Sequence, residues 1–378
     1  MKWFSSYRVN WMLVGIVGAI IVSGGHTRAD FVFGEPTNLG PVVNSSAWDQ
    51  KPCISADGLS LYFGSDRFGG QGDTDLWMTT RESVHDDWGT TVNLGAPVNS
   101  SRLEWPCYIS ADGLELYFND AGYNWGYVPR PGGQGETDLW VSTRPTRDHA
   151  WGEPVNLGPM VNSSANDCWA DLSADGLTLY FDSDRHGRLD VDYQIWVTTR
   201  ATKHDPWGEP VKLNINNEAA WEGNPSISSD DLALFFCANF SDSYGSGDIY
   251  MTTRGTRDDP WGTPVNLGPM VNTAYAEDGP DISADGRTLY FCDYKPPRPG
   301  GYGATDLWQV SIDPIVDFNG DRIVDAEDMC IMVDHWGEDY PLCDIGPTPW
   351  GDGVVDVEDL IVLAEHLFEQ LPGRPINP

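Results

Sequence analysis

Basic residues are scarce in this chain. Only 22 Lys and Arg stand against 57 Asp and Glu, a formal charge of −35, so a phosphate backbone or an anionic lipid surface would be repelled by most of the protein. Nucleic acids are excluded as partners, and cations are favoured. Long hydrophobic runs are also missing beyond the first residues, which leaves no segment to span a bilayer after the amino terminus. Cysteine is sparse: seven residues, an odd count, are scattered without regular pairing, so no disulfide framework is expected. Cys237 and Cys292 fall at equivalent places in neighbouring repeats, too far apart to bridge, and read as buried thiols. Cys330 and Cys343 are the one pair to consider as bonded. The seven His are thinly spread, and no GxSxG elbow or HExxH helix occurs, which removes the nucleophile-elbow hydrolases and zincins.

The amino terminus has export character. Lys2 and Arg8 precede an apolar run from Trp11 to Val22, and Thr27-Arg28-Ala29 brings small residues to a cleavable bond, so residues 1–29 read as a signal peptide. An uncleaved anchor is the alternative, but about 20 apolar residues are needed to span. The mature chain is expected outside the cell or at its surface, without membrane insertion.

What is abundant is turn and aromatic chemistry: 41 Gly, 27 Pro, 17 Trp and 15 Tyr, the composition of many short strands joined by tight turns. Turn dipeptides recur at Asp57-Gly58, Asp112-Gly113, Asp175-Gly176, Asp230-Asp231 and Asp285-Gly286, at spacings of 55, 63, 55 and 55 residues. Each repeat reads as an apolar strand, a turn, a second strand such as LSLYF, a variable loop, a third strand such as DLWMTTR, and a PVNLG-like fourth. Four strands per repeat make a propeller blade. The fourth strand also appears before the first blade, in Phe33 to Gly40, and is missing after the last. The expected fold is therefore all-β, a five-bladed β-propeller over residues 30–313 closed by an N-terminal outer strand. An open stacked solenoid, the alternative, would need capping repeats at both ends.

The segments WGEPVNLGPMVNSS, DISADGRTLYF and GATDLW resemble the WD-repeat-like, TolB-type propeller repeats of exported bacterial proteins. The resemblance runs from Phe31 to Asp313 and implies a propeller used mostly for binding. The WD dipeptide signature and its shorter period are absent.

Eight residues before each turn aspartate stands a carboxylate: Asp49, Glu104, Asp167, Glu222 and Glu277. One reading is that each caps its own loop by accepting backbone N–H bonds. The other is a negative ring at the mouth of the central channel that holds a cation or a polar ligand. Trp48, Trp105, Trp169 and Trp221 lie within two residues of these acids, and indole faces beside carboxylates suit sugar rings, although packing between blades would also use them. The loops between second and third strands vary most; they offer Tyr123, Trp125, Tyr127, Phe68, His186, Phe240, Tyr244, Tyr294 and Tyr302 as a recognition edge. A glycoside hydrolase is the alternative function, but it needs acids in non-equivalent settings, and this ring is uniform. A ligand-free assembly protein is a third reading.

After Asp313 the composition turns acidic and helix-forming. Asp317, Asn319, Asp321, the Ile323 carbonyl, Asp325 and Asp328 occupy ligand positions of a twelve-residue calcium loop, with Arg322 where glycine is usual. A second copy ends in Asp352, Asp356 and Asp359; Thr348 and Trp350 fill the places of its first acids, so either Asp344 reaches in across a longer loop or the site is weak. The paired loops, each leading into a helix, resemble a dockerin over residues 314–371, a small α-helical calcium-binding domain, with 372–378 as a tail. That resemblance implies calcium-dependent folding and a cohesin-like partner; the hydroxyl pairs common in cellulosomal dockerins are absent at Ala326-Glu327 and Val357-Glu358. A purely structural calcium module is the competing view. The whole reads as a binding protein for polysaccharide or another polar polymer.

Overall fold

The structure, a computed structural model, describes residues 31–120, 126, 128–186, 193–213, 215, 220–294 and 298–369. The expected signal peptide and the tail lie outside the described residues. Among those described, no helix is long and apolar enough to cross a membrane.

Two short strands, β1 (Phe31–Phe33) and β2 (Thr37–Asn38), precede the first repeat. Blade one follows as β3 (Asp49–Ile54), β4 (Ser60–Ser65), β5 (Asp75–Thr80) and β6 (Val92–Asn93). Blade two is β7 (Glu104–Ile109), β8 (Glu115–Asp120), β9 (Leu139–Thr143) and β10 (Val155–Asn156). Blade three is β11 (Asp167–Leu172), β12 (Thr178–Ser183), β13 (Gln194–Thr199) and β14 (Val211–Lys212). Blade four is β15 (Glu222–Ile227), β16 (Ala233–Ala238), β17 (Asp248–Thr253) and β18 (Val265–Asn266). Blade five is β19 (Ala276–Ile282), β20 (Thr288–Tyr294) and β21 (Leu307–Pro314).

Each blade is an antiparallel meander, and the sheet of blade five is completed from the other end of the chain. Thr37 pairs with Gln309 and Asn38 with Trp308, while β1 covers the end of β21, Phe31 opposite Pro314. The outer strand expected at Phe33 to Gly40 thus shuts the ring and protects the edge of β21. An unclosed stack is ruled out: Trp48 bridges Thr305, and Asp49 donates its amide to the Thr305 carbonyl at 3.0 Å, joining the first blade to the last.

Local chemistry explains the repeat. The Leu-Tyr-Phe core of the second strands, as in Leu61, Tyr62 and Phe63, with Leu234-Phe235-Phe236 in blade four, is buried between sheets, where apolar burial drives blade packing. The hairpin turn closes with Gly58 N on Ser55 O at 2.7 Å, and Gly58 sits at φ +69°, a region that excludes most side chains; Asp231 takes the same conformation in blade four at φ +63°. Just after the PVNLG-like segment of blade one, the buried Asn99 both accepts from Leu76 N (2.9 Å) and donates to Leu76 O (3.0 Å), acting as one more rung for the third strand.

Beyond β21 the chain forms a small unit with two helices, α1 (Ala326–Asp334) and α2 (Val357–Glu365). Its core holds Phe318, Val324, Met332, Ile345, Val355 and Leu363. Cys330 is exposed and Cys343 buried, and both are free thiols, so the disulfide considered from sequence is not formed. Cys237 and Cys292 are buried free thiols, as read from their spacing.

Candidate functional sites at the axis and in the C-terminal loops

The five carboxylates of the expected ring start the innermost strands, and all are buried to 1% exposure or less. They face into the blades and not into an open mouth, which corrects the picture of a negative ring. Asp49 accepts from Ser45 N (2.6 Å), the Ser65 hydroxyl (2.6 Å) and the Arg67 guanidinium (2.5 Å). Asp167 repeats this with Ser163, Ser183 and Arg185, Glu104 pairs with Arg130 at 2.7 Å, and Glu277 with Arg298 at 3.1 Å. Each arginine also lies over two aromatic rings, as Arg67 does over Phe63 and Trp77 at 4.9 and 5.3 Å. Burial pushes the Glu104 and Glu277 carboxyls upward against their arginines and the hydroxyls that bond them. The loop-capping alternative is therefore the arrangement present in blades one, two, three and five, where Asp49, Glu104, Asp167 and Glu277 accept from the amides of Ser45, Ser100, Ser163 and Thr273. In blade four, Phe240 stands where the arginine would be, eighteen residues after Glu222, and packs on Phe236 and Tyr250 at 6.3 and 4.7 Å.

A different cluster occupies the axis, and the sequence reading did not find it. Every innermost strand carries a register shift near its third residue, and Lys51, Trp169, Asn224 and Gly279 take positive φ there, at 55°, 45°, 54° and 57°. The bulge turns side chains toward the centre. Lys51, 6% exposed, donates through Nζ to Asn224 Oδ1 at 2.5 Å and Asp278 Oδ2 at 2.7 Å, and lies 4.5 Å from the Trp169 ring centroid. Asn224 Nδ2 in turn donates to Asp278 Oδ1 at 2.9 Å. Burial alone would lower the Lys51 pKa, but Asp278 and the nearby Cys292 and Cys237 outweigh it and raise it, so the ammonium stays charged. Asp182 is also fully buried, with no hydrogen bond to its carboxylate from any other described residue; burial drives its pKa well up despite Lys51. A pocket of ≈ 290 Å³, open solvent included, lies over Lys51, Pro52, Pro106, Trp169, Asn224 and Pro280.

Further down the channel, side chains lace blades three, four, five and one in turn: Asp171 Oδ2 accepts from Ile227 N (2.7 Å), Ser226 Oγ from Ile282 N (3.0 Å) and Asp281 Oδ2 from Ile54 N (2.5 Å). Burial, foremost, raises both acids.

Trp48, Trp105, Trp169 and Trp221 are all partly exposed. Trp105 and Trp169 lie together at the axis, centroids 5.9 Å apart, and the buried Tyr193 packs 6.2 Å from Trp169. Trp48 forms a separate edge contact with Tyr294 at 5.8 Å. Among the loop aromatics, Phe68, Tyr244, Tyr294 and Tyr302 are exposed, His186 lies on Trp196 at 4.9 Å and Phe240 is in the blade. Tyr123, Trp125 and Tyr127 lie outside the described residues.

The two C-terminal loops share one hydrogen-bond plan. Asp317 accepts from Asp321 N (3.1 Å) and Arg322 N (2.8 Å), as Asp344 does from Asp352 N (2.9 Å) and Gly353 N (2.8 Å). Asp328 accepts from Phe318 N and Asp325 N (2.8 and 2.9 Å), as Asp359 does from Ile345 N and Asp356 N (2.6 and 2.7 Å). Asp325 and Asp356 cap α1 and α2 through capping boxes. Arg322 adopts φ +74°, the conformation glycine would supply, and Gly353 occupies its counterpart. Asp344, not Thr348, therefore takes the place of the first acid in the second loop. The donor chemistry fits a hard cation: Asp317, Asn319, Asp321, the Ile323 carbonyl, Asp325 and Asp328 in one loop, Asp344, Asp352, Asp356 and Asp359 in the other. Burial first, then Asp359 and Asp352, push Asp344 up to about 6, a crowding of acids that a cation would relieve. Among the described residues, no three His, Cys, Asp or Glu side chains are gathered as a ready cage.

No family model matches the chain, and no curated protein matches it. Solved structures do. A family-43 glycoside hydrolase described as thermostable aligns at TM-score 0.49 and 15% identity over 74% of this chain and 92% of its own. TolB from Acinetobacter baumannii aligns at 0.44 and 15%, covering 71% of this chain and 54% of that one, so the match spans about half of that protein. Arabinanase Arb43A from Bacillus subtilis gives 0.45 and 14% over 73% and 97%. At these identities and TM-scores the likeness carries no statement about what this chain does.

Proposed function

We propose that the chain is an exported, non-catalytic binding propeller for a polysaccharide or another polar extracellular polymer, carrying a dockerin-like module that takes up calcium. The observation that carries the binding reading is the partly exposed Trp105–Trp169 pair beside the Lys51–Asn224–Asp278 cluster. Indole faces give stacking surface for a sugar ring, and a few fixed polar groups orient its hydroxyls. The same residues favour binding over turnover. Acid and base catalysis needs one carboxyl held protonated and a second kept ionised within reach of the bond. Here Asp278 is engaged by Lys51 and Asn224, Asp182 is buried, and the five strand-leading acids are enclosed within the blades. The strongly acidic surface keeps nucleic acids out of the partner list.

Calcium, when bound, supplies the positive charge that offsets acidic crowding in the C-terminal loops and so favours the folded unit. Its exposed helical side chains Val357 and Ile361 offer a surface for a cohesin-like partner. Affinity electrophoresis through polysaccharide gels tests the propeller. Retention should be lost in the Trp105→Ala, Trp169→Ala double variant with the fold intact by circular dichroism. Release of reducing ends, abolished by Asp278→Asn, would move the protein to the hydrolases; silence in both assays would leave an assembly role.

A further inference from the structure

The second C-terminal loop departs from the first in one respect. Asp317 to Asp328 spans twelve residues, and Asp344 to Asp359 sixteen. The extra length forms an arm, Gly346 to Gly351, that leaves the small unit and enters the propeller. Trp350 at its tip is 0% exposed and belongs to the core between blades four and five, 6.0 Å from the Phe235 ring. Its indole N–H donates to Asp230 Oδ2 at 2.8 Å, and the Thr348 hydroxyl reaches the same oxygen at 3.2 Å. Gly286 lies beneath the ring, where a Cβ would come within 2.8 Å of it. Arg287 and Glu365 add an ion pair at 3.1 Å.

The slot that the arm fills has a definite origin. On blades one and three the second oxygen of the hairpin aspartate is met by an arginine from the next blade: Arg147 bonds Asp57, and Arg257 bonds Asp175 at 3.3 Å. Asp230 of blade four would look to blade five for that arginine. Blade five has no loop after its third strand, because β21 runs straight to Pro314 and out of the propeller. The arm supplies the missing partner. Its ends are held by the acids of the loop: Asp359 accepts from Ile345 N and Gly346 N at 2.6 and 2.8 Å, and Asp344 accepts from Asp352 N and Gly353 N.

We propose that Trp350 is a latch through which cation loading of the second loop is coupled to seating of the C-terminal unit on blades four and five. This rests on the calcium reading of the loops. A cation drawn in by Asp344, Asp352, Asp356 and Asp359 fixes both ends of the arm, and the seated arm holds Asp344 and Asp352 in place for the cation. Coupling of this kind is reciprocal, so either site strengthens the other.

Calcium titration by calorimetry and hydrogen exchange, both on the full chain, test it. Chelation should speed exchange in peptides covering 230–236 and 284–290, beneath the latch, and leave those of blades one and two unchanged. The Asp344→Asn, Asp352→Asn double variant, which leaves the propeller untouched, should show the same faster exchange with calcium present. Trp350→Ala should weaken one calcium site about tenfold and spare the other, within the usual span of coupling between sites. Calcium heats with unchanged exchange at those peptides, or two unaltered affinities in Trp350→Ala, would overturn the latch. No calcium heat at all would overturn the calcium reading itself, and the coupling with it.

Discussion

At the scale of residues, the axis is held by one cation. Lys51 ties blade one to blades four and five through Asn224 and Asp278, and no strand-period pattern marks it, because its placement depends on a bulge. A lysine in an extended strand alternates between faces; a shift of register turns it to the centre. Lys51→Met should destabilise the protein by about 3 kcal/mol, since removing one partner strands the other's charge in a buried setting. Adding Asp278→Asn to that variant should recover most of the loss, both read by urea denaturation. An equal loss in the double variant would mean that packing, not charge, is at stake. The arginines were legible in principle: Arg67 and Arg185 each lie eighteen residues after their acid. The longer loops of blades two and five move Arg130 and Arg298 to other spacings, and that hides the pattern.

At the scale of elements, the sequence declared the blades and their closure, because the turn dipeptides and the apolar second strands act locally. What it did not declare was how loops meet across blades. Gly245, in the loop before β17, presses on the entry loop of blade five, and a Cβ there would come within 1.5 Å of the Tyr275 carbonyl oxygen. Gly245→Ala should cost about 2–3 kcal/mol, as overpacking does when backbone must move, and thermal melting would register it. A neutral effect would show the contact between blades to be soft. The second C-terminal loop was legible only as alternatives: sequence position sets Thr348 and Trp350 at the first ligand places, so that either Asp344 reaches in across a longer loop or the site is weak, and hydrogen bonding assigns Asp344 to the loop and Trp350 to the propeller.

At the scale of the whole molecule, buried acids set the response to pH. Burial, ahead of all other causes, raises Asp120 and Asp231 to about 6 and raises Asp171 and Asp281 as well. An unfolded aspartate titrates near 3.9, so between that value and about 6 the folded state holds more protons than the unfolded one. Their contribution is fully present below the unfolded value and is lost as the pH rises through the folded one. Asp57 and Asp175, held low by Ser and Arg partners against partial burial, act in the opposite sense and only at more acid pH. The propeller's melting temperature should therefore fall between pH 5 and pH 7 at fixed calcium, in scanning calorimetry. A rise over that interval would place these acids in a wetter setting than the structure gives them.

Binding without turnover is the central claim, and one titration bears on it most directly. Oligosaccharides of graded length are titrated calorimetrically into the intact protein, and the same mixtures are then weighed by mass spectrometry. The account predicts saturable heat for at least one length series, with every oligosaccharide recovered at its starting mass. Shortened products accumulating with time would contradict it.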